Sequence, residues 1–261
     1  MSADLRDLSW TWVAGSANSD GAYLKATKED SSLYYKMSAY NSSQGVYGHE
    51  AINELLAYRI SAELNIQAPE TRLIKALVFV DDTEFETFVS VAKSYKSAGE
   101  TRMPFENFYK SVREAGESAL SVALRFGWEA QVYRMFLFDF LIFNRDRHGA
   151  NIEVLETDGK RRLSPFFDNG VSLCVSCHTD SELDAFDVMA DRQVNNFIGS
   201  RSLFENLKTI SAKAITCKPR DDFHDRLFDG LSGVISAKHM DVIWEMFSKR
   251  WRYVLETICN S

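Results

Sequence analysis

The 261-residue sequence predicts an α+β fold of two lobes, a strand-rich N-lobe over residues 1–92 and a helical C-lobe over residues 93–261, with a cleft between them. Three observations predict it. Strand-like runs broken by turn residues fill the first ninety positions, with one helical stretch among them. Beyond residue 104 the apolar residues recur at three- and four-residue steps instead. Inside that helical part an apolar run at 136–143 ends in a dense polar knot, Asn144-Arg145-Asp146-Arg147-His148-Gly149-Ala150-Asn151. Burying such groups costs several kcal/mol, on the order of 2–7 each, unless every one is paired or meets an ion.

Taken in order, residues 10–13 read as a strand and 15–21, rich in Gly, Ser and Asn, as a turn. Two more strands, 22–26 and 33–37, flank a polar turn at 28–32, so the chain begins as a three-stranded antiparallel meander. A loop at 41–48 leads to a helix over 51–64, where Ile52, Leu55, Leu56, Ile60 and Leu64 share one face. Strands at 72–80 and 86–92 join through the acidic turn Asp81-Asp82-Thr83, and the polar stretch 93–102 reads as a linker. Pro104 suits an early helix position, with helix to about 115 and again over 118–126. The stretch 129–143 is apolar nearly all round and predicts a buried helix. Strands at 152–155 and 161–163 flank Thr157-Asp158-Gly159-Lys160, a hairpin signal. Residues 180–190 are acidic and expected to be loose. The remainder is helical and closes with 240–258, whose apolar face is Ile243, Met246, Phe247, Trp251, Val254 and Leu255.

With 18 Phe, 10 Tyr and 5 Trp, a sizeable core is available. A net charge of −7 without a basic block disfavours nonspecific binding to nucleic acid or a membrane surface, so no direct nucleic-acid partner is expected. The sequence holds no apolar run of the ~18 residues a membrane span requires. The first residues show no signal-peptide pattern, which predicts a cytoplasmic protein, or one delivered to a host cell without such a signal. Four cysteines make no disulfide framework. Cys174 and Cys177 form a CxxC, but a structural zinc site needs four ligands and Cys217 and Cys259 stand alone, so they read as ordinary reduced thiols.

The polar knot has a chemistry that fits it. Phosphoryl transfer from ATP needs a strand lysine on the phosphates, held by a helix glutamate. It needs metal held by an Asp and an Asn, and a second Asp to orient the attacking hydroxyl. In protein kinases that second Asp and the Asn lie five residues apart, as Asp146 and Asn151 do. Asp168 follows the hairpin just before Gly170, Lys36 lies on the third strand, and Glu50 and Glu54 share a helix face. Singly, each has a plainer reading: an ion pair at a helix end for Asp146 and Arg147, turn residues for Asn151 and Asp168, a structural hydrogen bond for His148, solvated side chains for Lys36 and Glu54. Their joint order and spacing favour phosphoryl transfer, with Mg²⁺ as cofactor and ATP as co-substrate.

The segment 144–151 resembles the NxDxHxxN catalytic loop of HipA-like kinases. Its portion 146–151 is similar to the DRHxxN loop of phosphatidylinositol 3/4-kinases. Ser164-Pro165-Phe166-Phe167-Asp168 resembles the family's metal-binding aspartate motif, and the stretch from Asn53-Glu54-Leu55-Leu56 to 66 its N-lobe helix. The resemblance implies a protein-kinase-like fold of the phosphatidylinositol 3/4-kinase type. It implies that Asp146 is the catalytic base, that Asn151 and Asp168 hold Mg²⁺, that Lys36 contacts the phosphates with Glu54 as partner, and that the backbone of Val91-Ala92-Lys93 reads adenine. His148 would support the loop or share acid–base work, and Arg147 would hold the loop by pairing with a carboxylate or phosphate. Ser16 and Ser19 would be candidates for autophosphorylation, and an antitoxin-type protein a partner. The sequence also departs from the family. It lacks length for the additional N-terminal domain of HipA toxins. Ala150 stands where those toxins usually carry Lys, Asp168-Asn169-Gly170 is not Asp-Phe-Gly, and 15–21 does not match GxGxxG.

The acceptor stays open between classes. A serine/threonine protein kinase is favoured, since residues 178–187 carry four acidic side chains and no Lys or Arg, which suits a basic protein. The same acidity disfavours a phosphoinositide head group but admits an aminoglycoside-type small molecule. A non-catalytic nucleotide-binding module is the remaining alternative, and the completeness of the residue set argues against it.

Overall fold

The computed structural model describes residues 2–13, 23–27 and 32–258. The turn at 15–21 with Ser16 and Ser19, most of the turn at 28–32, and Cys259 lie outside them. Strands β1 (Ala3–Asp4), β2 (Thr11–Val13), β3 (Tyr23–Thr27) and β4 (Leu33–Met37) precede a two-residue hairpin, β5 (Tyr40–Asn41) and β6 (Gly45–Val46), and helix α1 (Glu50–Glu63). Strands β7 (Thr71–Val80) and β8 (Thr83–Lys93) complete a sheet that runs β1-β7-β8-β4-β3-β2 among the described residues. All its pairings are antiparallel except β1 with β7. Asp81 and Asp82 both take positive φ, which fits the tight turn that joins β7 to β8.

Alternation along these strands sorts side chains between two faces. Leu24, Ala26, Tyr35, Met37, Val89 and Val91 pack into one apolar cluster. Lys25, Tyr34 and Lys36, the intervening residues, line a cleft instead. Helix α1 packs against β7 and β8, yet its apolar residues Ile52, Leu55, Leu56 and Ile60 join the larger core that also contains the helices to follow.

Strand β9 (Thr101–Pro104) opens the second half and is followed by α2 (Phe105–Val112), α3 (Ala119–Arg125) and α4 (Glu129–Leu141). After α4 come β10 (Asp146–Arg147), a 3₁₀ turn (Gly149–Asn151), and β11 (Glu153–Thr157) and β12 (Lys160–Leu163), with Asp158 and Gly159 in left-handed conformation at the hairpin turn. Short elements follow: α5 (Asp180–Asp184), β13 (Asn195–Asn196), α6 (Leu203–Lys208), a 3₁₀ turn (Ala212–Ala214) and α7 (Phe223–Phe228). The long α8 (Ala237–Ile258) ends the described chain. Helix α4 lies at the centre of the core, with Met135 to Phe143 all buried.

Two expectations need correction. Part of the expected linker is a strand: β9 pairs with β11, and the stretch is further fixed by Tyr95 donating to Glu153 Oε2 at 2.8 Å and by Arg162 pairing with Glu100 at 2.9 Å. Polar side chains on an exposed strand carry no alternation to read. The stretch 180–190 is likewise anchored. A capping box between Thr179 and Glu182 starts α5, and Leu183, Phe186 and Val188 are buried. Arg250 of α8, itself fully buried, donates to Val188 O at 2.8 Å and Ala190 O at 3.1 Å.

Candidate active site

The polar knot follows directly from the end of α4. Phe143 takes φ +52°, which ends the helix and turns the chain back. Asp139, wholly buried on α4, then gathers the loop: Asn144 Nδ2 donates to its Oδ1 at 3.0 Å and Arg147 Nη2 to the same oxygen at 2.8 Å. Arg147, 1% exposed, also donates to Phe167 O at 2.7 Å and to Asn169 Oδ1 at 2.7 Å. One guanidinium thus clamps the loop to the 167–169 segment, and every strong donor of that buried cation has an acceptor, as burial demands.

Within the clamped loop, Asp146 takes its backbone hydrogen bond from N–H to Asn144 Oδ1 at 3.0 Å. Its Oδ1 accepts from Asn195 Nδ2 at 3.2 Å, and β10 pairs with β13 to hold that partner in place. Its Oδ2 stands 3.9 Å from His148 Nε2. His148 Nδ1 accepts from Ala150 N at 3.2 Å and so caps the 3₁₀ turn. Asn151 Nδ2 donates to Asp146 O at 2.8 Å, which leaves its Oδ1 as the atom able to meet a cation. Gly149 permits this packing, because a Cβ there would fall 2.6 Å from Glu106 Cβ and 3.1 Å from the Phe197 ring.

Lining the cleft, Lys36 Nζ pairs with Glu54 Oε1 and, at 2.9 Å, with Asp168 Oδ1. Lys25 Nζ pairs with Asp168 Oδ2 at 2.8 Å. Burial works against the charge on Lys36, but the Asp168 and Glu54 carboxylates outweigh it and hold its pKa above the ordinary lysine value. Burial likewise opposes the charge on Asp168, and Lys36 and Lys25 overcome it, so its pKa lies below the usual carboxylate range. Asp168 has φ +59°, a left-handed conformation that aims the carboxylate back at the lysines. Helix α1 is tied to this segment by Asn53 Nδ2, which donates to Gly170 O at 3.1 Å and Ser172 O at 3.0 Å. Gly170 allows the approach, since a Cβ there would stand 3.1 Å from Glu50 Cβ.

The cleft itself has a volume of about 360 Å³ and is lined by Lys25, Lys36, Glu54, Asp168, Ala92 and Lys93, together with the aromatic residues Tyr34, Tyr95 and Phe167. Tyr95 and Phe167 stack at 5.4 Å. Val91 is not brought there: its side chain sits in the core of the sheet, and its backbone is paired with Tyr35 on one side and Arg72 on the other. Lys25, Tyr95, Asp139 and Asn195 are site residues that the sequence reading missed. Lys25 was the most accessible of them, because the expected hairpin places it opposite Lys36.

The donors fit one class of metal. Among the described residues no group of three or more His, Cys, Asp or Glu side chains is placed to hold a metal ion by itself. Asp168 and Asn151 offer two hard oxygen ligands, which suits Mg²⁺, an ion that keeps waters and binds through one or two carboxylates plus substrate phosphates. Cys174 and Cys177 are buried free thiols. Burial, then the neighbouring Cys177, pushes Cys174 up to about 12, so it stays protonated.

A family model for the HipA-like C-terminal domain matches residues 14–227. The chain belongs to that family. This HipA-like chain is similar to the crystal structure of CtkA, a proinflammatory kinase of Helicobacter pylori, at TM-score 0.66 and 16% identity over 100% of this chain and 96% of that one. That likeness shows the two-lobed kinase-like fold. The golgi casein kinase matches at TM-score 0.44 and 14% identity over 95% of this chain and 72% of that one. HipA of Shewanella oneidensis MR-1, crystallised with HipB and operator DNA, matches at TM-score 0.39 and 15% identity over 88% of this chain and 51% of that one. No curated protein is significantly similar to the chain. Membership of the HipA-like family, on a kinase fold, supports a kinase-type phosphotransferase.

Proposed function

We propose that this HipA-like domain transfers the γ-phosphoryl group of ATP to a serine or threonine hydroxyl of a protein. The observation that carries the reading is the joint placement of Lys36, Glu54 and Asp168 on one side of a cleft and Asp146 with Asn151 on a loop clamped to the same segment by Arg147. In this reading Lys36 and Lys25 contact the phosphates, and the adenine lies towards Ala92, Lys93 and Tyr95 at the end of β8. Asn151 and Asp168 would hold Mg²⁺, which supplies neutralisation of the phosphate charge. Asp146 takes the proton of the acceptor hydroxyl as that oxygen bonds to the γ-phosphorus and the bond to the β–γ bridging oxygen breaks, releasing ADP. His148 supports the loop as the cap of its 3₁₀ turn.

A basic acceptor is supported by the acidity of the segment 178–187. Of its four acidic residues, Glu182 caps α5 and Asp184 pairs with Lys238 at 2.6 Å, while Asp180 and Asp187 are exposed. The family resemblance adds an antitoxin-type protein as a proposed partner and Ser16 and Ser19 as proposed autophosphorylation sites. Among the described residues no helix is long and apolar enough to cross a membrane. Incubation with labelled ATP, Mg²⁺ and separate panels of basic proteins, phosphoinositides and aminoglycosides tests the acceptor class. Label is expected in the proteins. Label confined to lipid or aminoglycoside would overturn the protein-kinase reading.

A further inference from the structure

Lys25 and Lys36 stand directly opposite each other on adjacent antiparallel strands. Like charges at such positions are destabilising, and an anion between them offsets the repulsion. Asp168 is that anion. Its Oδ2 receives Lys25 at 2.8 Å and its Oδ1 receives Lys36 at 2.9 Å. The Asp168 side chain is only 10% exposed, so water screens these charges little. Both oxygens of the carboxylate that would ligate a divalent cation are therefore covered by ammonium groups. Lys36 is also paired with Glu54 and is 18% exposed. Lys25 is more exposed, at 31%, and lines the open cleft.

A dication approaching Asp168 without nucleotide meets an ammonium group on each oxygen of that carboxylate. A nucleoside triphosphate changes that balance, because its phosphates offer Lys25 a competing anion on the cleft side. Resting on the kinase reading, we infer that Lys25 is a positioning residue that closes the metal site in the absence of nucleotide, so that divalent metal binds at Asp168 only together with a nucleoside triphosphate. The lysine releases Oδ2 when it turns to the phosphates. The cross-strand lysine pair then keeps its bridging anion throughout, first the carboxylate and then the nucleotide.

The test uses Mn²⁺ alone as the probe, with unbound Mn²⁺ read by electron paramagnetic resonance, on the wild-type chain and on Lys25→Met. Lys25→Gln serves as a second variant that keeps a polar side chain at the strand position, and thermal melts establish that each is folded. Without nucleotide, both variants are expected to bind Mn²⁺ about tenfold or more tightly than wild type, the gain from removing one like charge beside the site. The gain is expected to vanish when Asp168→Asn is added. A merely structural role for Lys25 would lower metal affinity, not raise it. Wild type with a non-hydrolysable ATP analogue is expected to take up Mn²⁺. If wild type binds that analogue with Mn²⁺, yet takes up Mn²⁺ alone as tightly as the variants do, the closure is refuted and the kinase reading stands. If wild type binds no nucleotide with or without Mn²⁺, the kinase reading fails and takes this inference with it.

Discussion

Arg147 shows what a single residue does here. A lone reading of Asp146 and Arg147 suggests an ion pair at a helix end, but the arginine turns inward to Asp139, eight residues back on α4, and leaves the Asp146 carboxylate to Asn195. Asp139 was illegible in the sequence because it sits within an apolar helix, where nothing marks a lone carboxylate as the partner of a later cation. Asp139→Ala strands a buried guanidinium and is expected to destabilise the chain by about 3–5 kcal/mol, read by urea denaturation. The pairing of Lys36 with Glu54 was legible, since a strand lysine followed by a helix glutamate points to it. Lys36→Met is expected to lower kcat/KM for ATP by roughly 10²–10³-fold, as loss of one preorganised charge contact does. Unchanged ATP kinetics in that variant would contradict its assignment to the phosphates.

At the scale of elements, α1 is the part that connects the sheet to the site. Its apolar face was plain from periodicity, but its polar attachments were not, because Asn53 pairs with backbone oxygens more than a hundred residues away. Asn53→Ala leaves those buried carbonyls without their donor and is expected to cost about 1–3 kcal/mol in denaturant unfolding. The start of α1 also carries a titrating joint. His49 packs its ring 4.3 Å from His239 of α8 and 6.2 Å from His178. Burial first, then His239 and His178, lowers its pKa from 6.5 to about 4. Because the folded pKa is the lower one, the unfolded chain takes up the proton first. His49 therefore lowers stability as pH falls from about 6.5 to about 4, and has no effect above that window. Melting temperatures across pH 4–7 are expected to fall less steeply for His49→Gln than for wild type. Equal slopes would show that this ring does not govern the acid limb.

For the molecule as a whole, the two-lobed arrangement was legible because strand patterns predominate in the first part of the chain and helix periods in the second, and the candidate constellation drew notice because its order and spacing match what phosphoryl transfer requires. Tertiary closure was harder to read. The strand within 93–104 has too little alternation to announce itself, and the 180–190 segment owes its anchoring to Arg250, sixty residues later, whose guanidinium lies 4.8 Å from the Phe140 ring and 4.5 Å from that of Phe143. The aromatic wall of the cleft, Tyr95 and Phe167, depends on folding two distant stretches together.

The central claim is that Asp146 acts on the acceptor hydroxyl while the rest of the cleft binds ATP. The direct measurement compares wild type with Asp146→Asn in two assays on the same preparation: binding of a fluorescent ATP analogue in Mg²⁺, and transfer of γ-label to protein. Nucleotide affinity is expected to stay within about threefold, while transfer falls by at least ~10²-fold, the usual contribution of a positioned base. Transfer at the wild-type rate in Asp146→Asn would contradict the account.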